Sequence, residues 1–167
     1  MAGMVFILSI VVITLLFNLD RGQTYLPLVA LVGGAIVGLL DDIINLRSNG
    51  KGTAGLRSSI KFAMIAFLGL FLGWFFYYKL GVNSIYVPFV GDWTLGWWII
   101  PIFAFAVVAT GNAVNISDGL DGLAGGLLAI SYMAFGVIAL VQGQYILAGF
   151  TFTVVGALLS YLWFNIY

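Results

Sequence analysis

Residues 122–167 read GLAGGLLAISYMAFGVIALVQGQYILAGFTFTVVGALLSYLWFNIY, 46 positions without one charged side chain. As a single helix this run would be ~69 Å long, more than twice the ~30 Å hydrocarbon core of a bilayer. It must fold back on itself, and Gln142-Gly143-Gln144 is its clearest polar break. That gives two spans, near 122–141 and 145–166. Four further uncharged runs, 1–19, 22–40, 62–78 and 93–117, each have the length of one spanning helix. Transmembrane strands would alternate with period two, and these runs are continuous. The expected fold is an all-α polytopic membrane protein with six transmembrane helices, in one domain over residues 1–167.

Composition agrees. The 167-residue chain is 63% hydrophobic and 7% charged, and its mean hydropathy is +1.16. A soluble surface needs far more charge. Net charge is zero, so no basic footprint exists for nucleic acid. The chain has no cysteine and no histidine, which removes disulfides, thiolate metal sites and the commonest general base. The first run lacks a basic n-region and a small-residue cleavage site, so it reads as a span and not as a signal peptide.

Six spans alternate in direction. Loops 18–24, 79–96 and 142–144 fall on one side; loop 41–61, segment 111–121 and the C-terminus fall on the other. Arg47, Lys51, Arg57 and Lys61 share the second side, against Arg21 and Lys79 on the first. The positive-inside rule makes the second side cytoplasmic. The segment from Ile85 to Gly96 reads as a small outer β-hairpin turning at Gly91-Asp92, with aromatics suited to the membrane interface.

All six acids are aspartates, and four of them gather on the inner side. Asp41 and Asp42 end the second span, where the helix dipole and their mutual repulsion both oppose ionisation. A nearby cation would offset that cost; pairing with Arg47 or Lys51 at a plain membrane boundary would also do so. The second cluster is Asn112-Ala-Val-Asn115-Ile-Ser-Asp118-Gly-Leu-Asp121-Gly. Its polar residues recur every third position and would adjoin on one face wherever the segment is helical. Two Asp-Gly pairs also suit turns, but a turn does not call for the two asparagines. Polar groups beside hydrocarbon are functional candidates. Hard oxygen ligands suit Mg²⁺, which is often completed by substrate phosphates. The basic loop 46–57 adds cations without forming a P-loop. Together these features suggest phosphoryl transfer involving a lipid.

Three segments in order carry a resemblance: Gly38-Leu-Leu-Asp-Asp-Ile-Ile-Asn45, Asn112-Ala-Val-Asn-Ile-Ser-Asp-Gly-Leu-Asp-Gly-Leu-Ala124 and Trp163-Phe-Asn165. The chain resembles the polyprenyl-phosphate N-acetylhexosamine-1-phosphate transferases, most of all their bacterial phospho-N-acetylmuramoyl-pentapeptide branch. The resemblance runs over essentially the whole chain. It implies that Asp41 and Asp42 are catalytic, one of them deprotonating a lipid phosphate. It implies that Asn112, Asn115, Asp118 and Asp121 line the nucleotide-sugar site and that Asn165 lies near the uridine. Asn45 departs from that branch, which usually has Lys there.

The implied reaction moves phospho-N-acetylmuramoyl-pentapeptide from its UDP carrier to undecaprenyl phosphate and releases UMP, with Mg²⁺ as cofactor. It is the first membrane step of peptidoglycan synthesis, at the cytoplasmic face of the bacterial inner membrane. Direct attack and a covalent Asp-phosphate route both stay open. The family's Phe-Met-Gly-Asp segment, whose Asp is a magnesium ligand, and its histidine-rich loop have no counterpart in these residues. The resemblance therefore implies an internal fragment of a fold with more spans, inactive by itself. Alternatives are a sister enzyme transferring N-acetylglucosamine-1-phosphate to the same lipid and a non-catalytic fragment binding lipid or a partner helix. An ion-conducting bundle fits less well, because the aspartates do not line a path through the bilayer. Gly33-Gly34 would suit a homodimer, and equally packing within one subunit.

Overall fold

The computed structural model describes residues 2–18, 22, 24–47 and 58–165, with backbone alone for Ala2, Asn45, Leu46, Arg47 and Asn165. In chain order it has α1 (Ala2–Phe17), α2 (Tyr25–Arg47), α3 (Ser58–Leu80), β1 (Ser84–Val87), β2 (Gly91–Thr94), a 3₁₀ turn (Gly96–Trp98), α4 (Ile99–Ser117), α5 (Leu123–Val141) and α6 (Tyr145–Asn165). The fold is all-α and polytopic, with one small hairpin. Among the described residues, five stretches are long and apolar enough to cross a membrane: Tyr25–Ile44, Ser58–Leu80, Gly96–Ser117, Leu123–Val141 and Tyr145–Phe164.

The first expected span falls short of that length. Helix α1 has 16 residues, or ~24 Å at ~1.5 Å per residue. The chain leaves it at Asn18, whose backbone N–H still donates to the Thr14 carbonyl at 3.0 Å. The Asn18 side-chain amide donates to the Ile146 carbonyl at 3.2 Å, tying the end of α1 to the start of α6.

The chain forms two compact units, Met1–Leu39 with Ala113–Tyr167, and Leu40–Asn112. The first is organised by the α5–α6 hairpin. Its turn is a Schellman motif centred where the sequence breaks. Gly143 takes φ +72°, Gln144 N–H reaches the Ala139 carbonyl at 2.8 Å, and Gly143 N–H reaches Leu140 at 3.0 Å. Orphan carbonyls at the end of α5 are thereby satisfied. The helices then run antiparallel at close range. A Cβ on Gly136 would lie 2.9 Å from Thr151 Oγ1, and one on Gly125 would lie 2.8 Å from Leu162 Cδ2. Ile10 of α1 completes the core with Ala129, Phe150, Val154 and Leu158. Phe6 stacks obliquely on Tyr161 at 5.9 Å. Asn18–Ile146 and Phe6–Tyr161 make α1 antiparallel to α6. Asn18 and the 142–144 turn therefore share one end of this unit, as the alternation of spans requires.

The second unit is built on α3 and α4. A Cβ on Gly69 would lie 2.9 Å from the Ala104 Cα, and one on Gly73 would lie 2.8 Å from the Ile100 carbonyl oxygen. Gly69 and Gly73 are four residues apart, so one small-residue face lets the α4 backbone approach, a common device where lipid supplies no hydrophobic drive. Phe76 and Phe103 pack beside it with ring centroids 5.0 Å apart. These contacts make α3 and α4 antiparallel.

At one end of this pair stands the expected hairpin, with strands β1 and β2 antiparallel. Its turn is displaced from the expected position. Gly91 and Asp92 belong to β2, and the reversal is made by Pro88, Phe89 and Val90. Val90 N–H donates to the Val87 carbonyl at 3.1 Å, and Phe89 carries φ +70°. Pro at the second position and positive φ at the third describe a type II turn. The sequence rule placed the turn at Gly91-Asp92; here the turn falls just before it, and Phe89 takes positive φ as well as Gly91, at φ +96°.

Candidate active site

At the other end of the second unit lie Asp41, Asp42, Lys61 and Asn112. Asp41 and Asp42 sit in the last two turns of α2 and Lys61 in the first turn of α3. Lys61 Nζ donates to Asp41 Oδ2 at 2.9 Å. The two side chains retain 34% and 26% of their exposure, so the pair is shielded more than an ordinary surface bridge. Asp42, the next residue, is exposed. A cation stands beside Asp41: Lys61. The expected partners Arg47 and Lys51 have side chains outside the described residues, as does the rest of the basic loop 48–57.

Asn112 reaches this end through helix antiparallelism. A Cβ on its neighbour Gly111 would touch Ile65 at 4.0 Å, one turn beyond Lys61. Asn112 is exposed in the C-terminal part of α4. Lys61 was not singled out from sequence, where it reads as one of four boundary bases. The available signal was its place in the first turn of the helix that follows the aspartates.

The remaining candidates belong to the first unit. Helix α4 ends at Ser117, so the three-residue periodicity lies on a helix only for Asn112 and Asn115. Asp118 and Asp121 occupy the turn to α5. There Leu123 N–H donates to the Leu120 carbonyl at 3.1 Å, and Gly122 takes φ +80°. The second Asp-Gly pair is thus turn chemistry: Gly122 adopts the left-handed backbone that disfavours any side chain. Gly119 does not have positive φ. Asn115, Asp118 and Asp121 are all exposed. Because Gly125 packs on Leu162, the start of α5 lies beside the end of α6, where the backbone of Asn165 is found. The structure therefore gathers Asp118, Asp121 and the Asn165 backbone at one end of this unit.

Among the described residues no group of three or more His, Cys, Asp or Glu side chains is placed to hold a metal by itself. Magnesium asks for less: one or two carboxylates, with waters and substrate phosphates completing the shell. Asp118 and Asp121, exposed in one turn, fit that smaller requirement.

The family described as glycosyl transferase family 4 matches residues 24–167. Curated relatives named phospho-N-acetylmuramoyl-pentapeptide-transferase match as well. One from Chloroflexus aggregans is 39% identical over 100% of this chain and 48% of its own length. One from Clostridium novyi is 36% identical over 100% of this chain and 52% of its own length. One from Geobacillus thermodenitrificans is 39% identical over 99% and 52%. The chain spans about half the length of the curated relatives it matches.

Proposed function

This chain belongs to glycosyl transferase family 4, and from that premise we propose that it forms part of a phospho-N-acetylmuramoyl-pentapeptide transferase of the bacterial inner membrane. The substrates are the UDP-linked sugar and undecaprenyl phosphate. The observation that carries the reading is the Asp41–Lys61 pair beside Asp42, with Asn112 at the same end of the α3–α4 pair.

In the proposed step an oxygen of the lipid phosphate attacks the β-phosphorus of the UDP-sugar. The new P–O bond forms as the bond to the oxygen bridging the α-phosphorus breaks. That oxygen leaves with the electron pair, as UMP. Such chemistry depends on positioning and charge neutralisation. Asp42 takes the proton from the lipid phosphate. Asp41 holds Lys61 in place. An ammonium carries three donors, and one spent on Asp41 leaves others for phosphate oxygens. Asn112 and Asn115 orient the nucleotide sugar, and Asn165 recognises the uridine. Asp118 and Asp121 would hold magnesium, which when bound offsets phosphate charge. Four bases, Arg47, Lys51, Arg57 and Lys61, assign this side to the cytoplasm.

The direct test supplies undecaprenyl phosphate and either UDP-sugar to the complete gene product in membranes. UMP release with UDP-N-acetylmuramoyl-pentapeptide, abolished by a chelator and restored by Mg²⁺, is the expected result. Release with UDP-N-acetylglucosamine alone would contradict it.

A further inference from the structure

The hairpin at the far end of α3 and α4 has an order that the transferase reading does not use. Cross-strand partners share a face of the sheet, and neighbours along a strand alternate. The register pairs Ile85 with Trp93 and Val87 with Gly91, and pairs Ser84 with Thr94 and Tyr86 with Asp92. One face is therefore Ile85, Val87, Trp93 and Gly91, wholly apolar. The other is Ser84, Tyr86, Asp92 and Thr94, polar or hydroxyl-bearing. This amphipathic ribbon is not covered by the protein: Trp93 is 61% exposed, and Phe89 at the tip is fully exposed.

A lone two-stranded hairpin is marginal in water. This one is also held in a defined place. The Asn83 carbonyl accepts from both Leu95 N–H at 2.8 Å and Gly96 N–H at 3.0 Å, closing the base. The tip carries a phenylalanine with φ +70° where a type II turn ordinarily places glycine. Such a backbone is unfavourable for a bulky residue, and outliers of this kind mark sites where something else compensates. Among the described residues nothing covers the ring, which is fully exposed.

The location indicates the occupant. The hairpin joins two helices of membrane length. Flanking it is an aromatic collar: Trp97 stacks on Trp98 at 4.5 Å, Tyr77 meets Tyr78 edge-on at 4.9 Å, and Trp74 meets Tyr78 at 5.4 Å. Tyr and Trp concentrate at the headgroup level of a bilayer. The hairpin's exposed apolar face continues that collar, and four strand residues reach only ~13 Å from the base.

We propose that the β1–β2 hairpin lies on the bilayer surface as an amphipathic lipid anchor. Ile85, Val87, Trp93, Phe89 and Val90 sit among the headgroups, and Ser84, Tyr86, Asp92 and Thr94 face water. The anchor fixes the α3–α4 end opposite Lys61 at the membrane boundary.

The chain has no cysteine, so single labels report cleanly. Ile85→Cys, Phe89→Cys, Tyr86→Cys and Asp92→Cys would each carry an environment-sensitive nitrobenzoxadiazole. Each labelled chain would enter vesicles of phosphatidylethanolamine and phosphatidylglycerol. Bromine near the lipid headgroup should quench positions 85 and 89 several-fold more than 86 and 92, and aqueous iodide should rank them in reverse. Trp93→Cys repeats the apolar face if a label at 85 disturbs the pairing. Equal iodide quenching at all positions would overturn the proposal. So would shielding of 85 and 89 from both quenchers, which would mean a protein cover such as a second copy of the chain.

Discussion

The two ends of the α3–α4 pair are made from the same backbone geometry and opposite chemistry. At one end Lys61, Asp41, Asp42 and Asn112 bring charge and amide groups together, with a 2.9 Å ion pair holding Lys61. At the other end the charged groups are Lys79 and Asp92, and the surface is aromatic. A membrane boundary needs only the second kind of end. A partly exposed ion pair contributes little to stability, and two adjacent carboxylates in the last two turns of α2 repel each other. The charged end therefore makes sense as a place where anions are handled, and the aromatic end as a place where lipid is met.

That contrast is sharpest in the reaction. Asp42→Asn and Asp118→Asn in the complete gene product should each lower transfer by about 10²–10⁴-fold, with helix content by circular dichroism unchanged. Near wild-type turnover in both would remove the catalytic assignment. Lys61→Met should cost about 10²-fold, the scale expected when a positioned group shifts. Lys61→Arg should recover part of it, because the charge and the Asp41 contact survive. A plain structural role would give equal losses in both variants and a matching drop in thermal midpoint.

Between the ends, Gly73→Val tests packing. A side chain there meets the Ile100 backbone at 2.8 Å, so overpacking should cost about 1–3 kcal/mol. Thermal unfolding in detergent would read it, and an unchanged midpoint would show the helices further apart than described. Smallest of all, Phe89→Gly should leave transfer within about twofold, because the tip touches no reacting group.

Much of this architecture was legible in the sequence, for physical reasons that also explain the misses. The 122–167 run had to double back, and a glycine between two glutamines supplied the αL position that a Schellman turn needs. The hairpin was legible as β-rich runs, but its turn was not. The rule puts the reversal at Gly91-Asp92, whereas the chain reverses over Pro88, Phe89 and Val90, with positive φ on both Phe89 and Gly91, and starts the next strand at Gly91. The polar face at 112, 115, 118 and 121 was half right, because α4 stops at Ser117 and Gly122 turns the chain. The first expected span is the one the structure supports least: α1 has 16 residues, and Asn18 just after it bonds across to α6. Asp41 and Asp42 stood out as a costly pair. Lys61 did not, because pairing across two helices leaves no local signature and residues 48–57 between them carry two other cations, Lys51 and Arg57.

The most direct measurement applies one chemical change to both ends. Asp42→Asn and Asp92→Asn each remove a single carboxylate charge, and UMP release in membranes compares them side by side. Asp42→Asn should be nearly inactive, and Asp92→Asn should turn over like the unsubstituted protein. Equal activity in the two variants would contradict the assignment of Asp42.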